Sequence, residues 1–363
     1  MTGAPHTYNP RWTWAIPVGS WIVLLLYALA PHMPGMVWLL CAGLLGSVVC
    51  AVHHAEVIAL KVGEPFGTLV LALSVTTIEV ALIVSMMLSG DPIESMALPR
   101  DTIFAALMII LNGIIGCSLL VGGHKHRVQQ FNLEGVTDAL CTTTVIIVVA
   151  LVLPNYVSGG RYTPTQMAFS AVVTLALFIA FTYFQTMRHR EYFIPAPVDS
   201  CTTEDHALPP PDTRTTASSV VLLLIALVAV VLSAKGISPT LEAMLGQWGA
   251  PAATLGIIIA AIVLLPEFGA AMRAAHNNRL QSSLNLAIGS AIASVGLTIP
   301  AVVILALFMD WPLQLGLDGI STALLVLSLF VGALSLRTGN TTFQPGIVHL
   351  VIFAIYLFFS FSP

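Results

Sequence analysis

Apolar runs of roughly twenty residues follow one another from just after Arg11 to the last residues of the chain, each long enough to cross the hydrocarbon of a bilayer as a helix. Bounded by charges, Gly or Pro, eleven such runs fall near 12–30, 36–60, 66–89, 102–121, 137–154, 166–187, 217–235, 251–274, 284–309, 316–336 and 343–361. Of the 363 residues 57% are hydrophobic and only 8% charged, and the mean hydropathy is +0.93. A soluble domain carries about 25% charged residues, so this chain could not cover a water-facing surface. Lipid has to be its solvent, and the expected fold class is an all-α polytopic membrane protein of eleven transmembrane helices. The net charge of −4 is thinly spread, with no basic patch for nucleic acid. Cys41, Cys50, Cys117, Cys141 and Cys201 show no CxxC spacing and four lie in apolar runs. They read as small packing residues, with neither a disulfide framework nor a zinc site. No cleavable signal peptide is evident, because the first run continues into more membrane and reads as a retained span.

The thirteen Lys and Arg residues test the span count. With alternating loops, one side holds Arg11, Lys61, Lys125, Arg127, Arg188, Arg190, Arg214, Arg273, Arg279 and Arg337, and the other only Arg100, Arg161 and Lys235. Ten against three is a positive-inside bias that one extra or missing span would scramble. The N-terminus is therefore expected in the cytoplasm and the C-terminus outside. The one long polar connection, 188–216, is rich in Pro, Thr and acids and reads as a flexible cytoplasmic linker. It separates two sets of five spans, 36–187 and 217–363, which follow a first segment, 1–35. Five is odd, so the two sets are expected to be inverted repeats, an arrangement that places a transporter's substrate at the midplane between them.

Against that background two acids stand out. Of seventeen Asp and Glu residues, only Glu79 in "FGTLVLALSVTTIEVALIVSMMLS" and Glu267 in "LGIIIAAIVLLPEFGAAM" lie deep within a span, each in the second helix of its half. A bare carboxylate in hydrocarbon is costly, about +3 kcal/mol on insertion scales, so such a group is protonated, paired or bound to a cation. A group stable in the protonated and cation-bound states, and not bare, couples a cation to a proton by competition. The neighbours fit an ion site. Thr76 lies one turn before Glu79, with Ser74 and Thr77 nearby. Pro266 frees the carbonyl of Ile262, a hard oxygen ligand. Ser290, Ser294 and Thr298 form a hydroxyl stripe along one helix face, and Asn112 lies mid-span in the fourth helix. Taken singly, each residue of the stripe, like Asn112, reads first as a helix-packing hydrogen bond, and together with the acids they form a second wall of the site. His53, His54 and Glu56, toward the cytoplasmic end of the second span, are candidates for pH sensing or for interfacial packing. His349 reads as a hydrogen-bonded structural residue. Asp199, Glu204, Asp205 and Asp212 read as linker solvation, with weak calcium gathering as the alternative.

Several stretches carry a family resemblance. "HAEVIALKVGEPFGTLVLALSVTTIEVALI", "LNGIIGCSLLVGGHKHRVQQFN" (111–132), "AKGISPTLE" (234–242), "LPEF" (265–268) and "LNLAIGSAIASVGLTIP" (284–300) resemble the cation/proton exchanger family of the calcium/cation antiporter superfamily, and among its members the bacterial ChaA-type calcium (sodium, potassium)/proton antiporters. The resemblance covers nearly everything after the first helix. It implies eleven helices, inverted five-helix repeats, and alternating-access exchange of cytoplasmic Ca2+, with Na+ or K+, for external H+. It also implies that Glu79 and Glu267 are shared by cation and proton, that no cofactor is needed, and that the protein resides in a bacterial cytoplasmic membrane. One departure stands out: the superfamily's GNxxE pattern has an Asn three residues before each acid, where this chain has Thr76 and Leu264. Two amide ligands are missing, which favours weaker and less selective calcium binding. A cation channel is the alternative from another class, although a channel usually rings its pore with like residues from several subunits. An intramembrane metalloprotease would need HExxH, which "HHAE" does not supply. Whether the chain forms homo-oligomers is left open by the sequence.

Overall fold

The computed structural model describes residues 8–63, 66–89, 96–194, 211–249, 251 and 253–361. It is nearly all helix. In chain order the long helices are α1 (Trp12–Leu29), α2 (Met36–Val62), α3 (Phe66–Ser89), α4 (Leu98–His126), α5 (Leu133–Tyr156), α6 (Pro164–Arg188), α7 (Thr213–Gln247), α8 (Ala253–His276), α9 (Leu280–Met309), α10 (Gly319–Ser335) and α11 (Phe343–Phe361). Among the described residues nine helices are long and apolar enough to cross a membrane, and Ala72–Leu88 and Gly319–Ser335 are shorter apolar helices. The protein is thus a multi-pass membrane protein. Two short strands, β1 (Gln129–Gln130) and β2 (Asn340–Thr341), pair antiparallel.

Local chemistry fixes several helix starts. Asn132 caps α5 by accepting from the Gly135 N–H at 3.1 Å. Thr163 and Gln166 form a reciprocal capping box at the start of α6. Asp318 accepts from the N–H groups of Ile320 and Ser321, both at 2.9 Å, and starts α10.

Two segments depart from expectation. α7 is 35 residues long, not the stretch near 217–235: it begins inside the expected linker and runs past Lys235 and through Pro239. A charge can extend along its stem toward water, and an interior proline removes one hydrogen bond without ending the helix, so neither is a reliable terminator. The linker is also ordered at its start. After α6, a short turn at Arg190–Tyr192 stacks His189 on Tyr192, with ring centroids 4.9 Å apart. Asn285 of α9 then donates to the Phe193 carbonyl at 2.6 Å. Asp212 is the residue before α7 and accepts from the Thr215 N–H at 2.9 Å, so it caps that helix. Asp199, Cys201, Glu204 and Asp205 lie outside the described residues. Cys41, Cys50, Cys117 and Cys141 are free thiols.

The chain divides into two compact units, Met1–Ile78 with Pro197–Leu241, and Glu79–Ala196 with Glu242–Pro363. Each draws on both sides of the polar linker. In the first unit α1 packs on α2 through small residues. Ser47 donates to Ser20 at 2.9 Å, and Ser20 lies 3.1 Å from the Gly43 carbonyl. In the second unit α4 packs on α11, α8 and α9, and α9 packs on α6. Glycines permit the closest approaches: a Cβ at Gly346 would meet the Gly116 carbonyl oxygen at 2.7 Å, and one at Gly256 would meet Thr102 at 3.1 Å. In lipid, where apolar surface is no driving force between helices, such contacts and buried hydrogen bonds hold the bundle.

Candidate cation and proton site

The two deep acids are both in the second unit, Glu79 on α3 and Glu267 on α8. Both are buried, at 5% and 2% exposure. A single helix serves both. Ser294 of α9 donates to Glu79 Oε2 at 2.5 Å, and Ser290, one turn earlier on the same face, donates to Glu267 Oε2 at 2.7 Å. The stripe legible in the sequence thus brings the two carboxyls to one helix face.

Each carboxyl is half satisfied. Oε1 of Glu79 and Oε1 of Glu267 have no hydrogen-bond partner among the described residues. Thr298, the third hydroxyl of the stripe, is fully buried and its Oγ1 is also unpartnered. A buried acceptor left without a partner costs about 1–3 kcal/mol, more when charged. A proton or a cation at either open oxygen would offset that cost. On α8 the helix continues through Pro266, whose missing N–H leaves the Ile262 carbonyl without its usual donor.

The remaining candidates are distributed differently. Thr76 is buried and precedes Glu79 by one turn of α3, and it belongs to the first unit. Asn112 is fully buried, but its hydrogen bonds run elsewhere in the second unit. Its Nδ2 donates to Ser328 Oγ of α10 at 2.8 Å, and its Oδ1 lies 3.2 Å from His349 Nδ1 of α11. His349 Nε2 lies 3.0 Å from Ser335 Oγ. His349 is therefore a hydrogen-bonded buried residue, as the sequence suggested. Ser328 was not legible as a partner, because nothing local marks a serine 216 residues away. His53 and His54 belong to the first unit, where His53 Nε2 lies 2.8 Å from the Tyr8 carbonyl and His54 Nε2 lies 3.3 Å from the Thr13 carbonyl. They join α2 to the N-terminal segment, and neighbouring Glu56 is half-buried.

Among known proteins, a family described as sodium/calcium exchanger protein matches residues 32–187 and 218–362. The sodium-potassium/proton antiporter ChaA of Escherichia coli is 33% identical over 362 residues, covering 99% of this chain and 98% of that protein. The protein y4hA of Sinorhizobium fredii, described as an ionic transporter, is 42% identical over 364 residues, covering 98% and 97%. Among solved structures, native YfkE superimposes with a TM-score of 0.72 over 97% of this chain and 100% of that one, at 16% identity. The H+/Ca2+ exchanger CAX does so with a TM-score of 0.69 over 96% and 87%, at 14% identity. At those identities the structural likeness speaks for the fold.

Proposed function

Because the chain belongs to the sodium/calcium exchanger family, we propose that it is a secondary antiporter that moves cytoplasmic Ca2+, and also Na+ or K+, outward in exchange for external H+. The proposal places it in a bacterial cytoplasmic membrane as eleven spans, N-terminus inside and C-terminus outside, and the ten-to-three charge asymmetry supports that reading. The observation that carries the reading is the half-satisfied glutamate pair held by one turn of α9. A carboxyl with one oxygen held and the other open can accept a proton or a cation at that oxygen, but not both at once. Exchange then follows if the site faces the two sides of the membrane in turn. The family match to both 32–187 and 218–362 supports two inverted five-helix repeats on either side of the linker.

A second reading has its own support. The Escherichia coli relative is named for sodium and potassium, and Thr76 and Leu264 stand where an amide oxygen would favour calcium. On that reading the protein is a monovalent cation/proton antiporter with little calcium transport.

One experiment tests both. Purified full-length protein in proteoliposomes loaded with a pH-sensitive dye is given an inward or outward gradient of Ca2+, Na+ or K+ in turn. Proton movement driven by a cation gradient is expected, falling as pH is lowered on both sides together, because protons then hold both carboxyls. Cation flux without coupled proton movement would mark a channel and overturn the antiport reading. Coupling to Na+ or K+ alone would select the monovalent form.

A further inference from the structure

We propose that the cleft where α4, α8 and α10 begin and α11 ends holds a zwitterionic phospholipid, its phosphate on Arg100, its ammonium on Asp101 and Asp318, and the start of an acyl chain on the apolar floor beneath. The inference needs only that the chain spans a membrane, and it stands apart from the glutamate pair and from antiport.

The cleft has a volume of about 210 Å³, and all its lining residues belong to the second unit. Its charged lining comes from helix ends: Arg100 and Asp101 from the first turn of α4, and Asp318 from the cap of α10. Phe104, Ile257 and Leu324 line it from farther along α4, α8 and α10, roughly 5–9 Å deeper at 1.5 Å per residue. Tyr356 of α11 completes that floor, its ring edge-on to Phe104 with centroids 5.4 Å apart. On one side the lining reaches the outer surface of the bundle, at Ile320 of α10 and Phe359 of α11, which are 52% and 42% exposed. Charge at the helix ends, apolar surface beneath and a side open to hydrocarbon repeat the polarity of a lipid from headgroup to chain.

The charges decide which lipid. Arg100 Nε donates to Asp101 Oδ1 at 2.7 Å and Nη1 to the Gly316 carbonyl at 3.0 Å, so two of its five N–H groups have partners among the described residues. Those bonds fix the planar guanidinium and leave donors for a phosphate, an anion that its fork suits. Asp318 is also held in place: one oxygen accepts from the N–H groups of Ile320 and Ser321, and the other from the Ser321 hydroxyl at 2.6 Å. The cleft thus sets two carboxylates against one guanidinium. An anionic headgroup would meet excess negative charge, and a lone amine would meet Arg100. A headgroup with one phosphate and one primary ammonium answers both, because the ammonium donates to carboxylates while the phosphate accepts from arginine.

The test uses the full chain purified in detergent, stripped of lipid and reloaded with equal amounts of phosphatidylethanolamine and phosphatidylglycerol. Native mass spectrometry counts the lipid retained, and thermal unfolding is followed with each lipid alone. The parent is expected to retain phosphatidylethanolamine over phosphatidylglycerol and to unfold at a higher temperature with it. Asp318→Asn removes one charge and keeps a cap, since asparagine caps as well as aspartate. It should lower the ratio of the two lipids by about tenfold, the factor that one hydrogen bond to a charged group gives. Asp101→Asn should act in the same direction, and Arg100→Gln should lower retention of both lipids. Ser283→Ala, at the opposite end of the bundle beside Ser118, should change neither. Equal retention of the two lipids by the parent overturns the proposal, and so does a ratio unaltered in both aspartate variants. Soluble phosphoethanolamine that stabilises the protein as well as the lipid does would mark the occupant as a free small molecule and overturn it too.

Discussion

Two buried polar clusters of the second unit differ in how completely their groups are paired. Around Asn112 the circuit is closed: the amide nitrogen, the amide oxygen and both ring nitrogens of His349 all have partners. Around Glu79 and Glu267 it is half open, with one oxygen of each carboxyl held by a serine and the other without a partner among the described residues. Closing a buried polar circuit fixes its members, because each would lose a bond by moving. Leaving acceptors open in hydrocarbon is unfavourable unless something arrives to fill them, and for a carboxyl the candidates are a proton and a cation. The unsatisfied pair thus has room for a further partner, and the satisfied cluster has none to take.

The largest expected effect comes from removing the charge at the open cluster. Glu79→Gln and Glu267→Gln should keep the fold, since a neutral amide approximates the protonated acid in size, while proton-coupled flux in proteoliposomes falls to background. Glu56→Gln, in the first unit, should retain most of it. Coupled exchange by either deep variant would erase the difference between the clusters. A smaller effect is expected from the serines. Ser294→Ala or Ser290→Ala withdraws one hydrogen bond from a carboxylate, worth about 1.5–3 kcal/mol where the acceptor is charged. Cation affinity should therefore change by at least tenfold, whereas Ser283→Ala, which faces Ser118, should leave it nearly unaltered. Equal responses at all three serines would show that α9 holds the helices and not the acids.

Selectivity sharpens the contrast further. Introducing Asn at both Thr76 and Leu264 adds two amide oxygens near the acids in sequence and should raise calcium preference, read as the ratio of Ca2+- to Na+-driven proton flux. An unaltered ratio, with the protein still folded, would show that those positions do not reach the cation. The smallest effect lies far from either cluster, at the start of α7. Hydrogen bonds from the side chain and then the backbone N–H of Thr215 hold the Asp212 carboxyl below its ordinary range. A depressed carboxyl contributes stability above its unfolded-state value and loses it as pH falls through the lower folded value. Thermal unfolding of Asp212→Ala should therefore differ slightly from the parent at neutral pH and converge with it in strong acid. A gap that persists there would mean the cap is not electrostatic.

The sequence exposed the open cluster better than the closed one, for a physical reason. A lone carboxylate in an apolar run is conspicuous, and Ser290 and Ser294 announce a shared face through their spacing of four along a helix. Asn112 was equally visible but its partners were not, because Ser328 and His349 reach it only through the packing of α4 against α10 and α11. Serines and glycines in lipid look alike whether they contact a neighbour or the bilayer. The helices themselves were legible to within a few residues, since apolar length is written directly in the chain. α7 was the exception: Lys235 and Pro239 look like a boundary, and the helix passes through both.

The placement of both serine donors on one turn of α9 has a mechanical consequence. An α-helix is stiff along its axis, and Ser290 and Ser294 are separated by only about 6 Å of rise. They translate and rotate as one body. A sliding or twisting of α9 large enough to stretch one of the two donor bonds stretches the other in the same instant, so the grips on Glu79 and Glu267 slacken or tighten in step. Two carboxyls on different helices, far apart in sequence, are thereby held by one short stretch of rigid backbone, so their serine donors cannot be displaced independently.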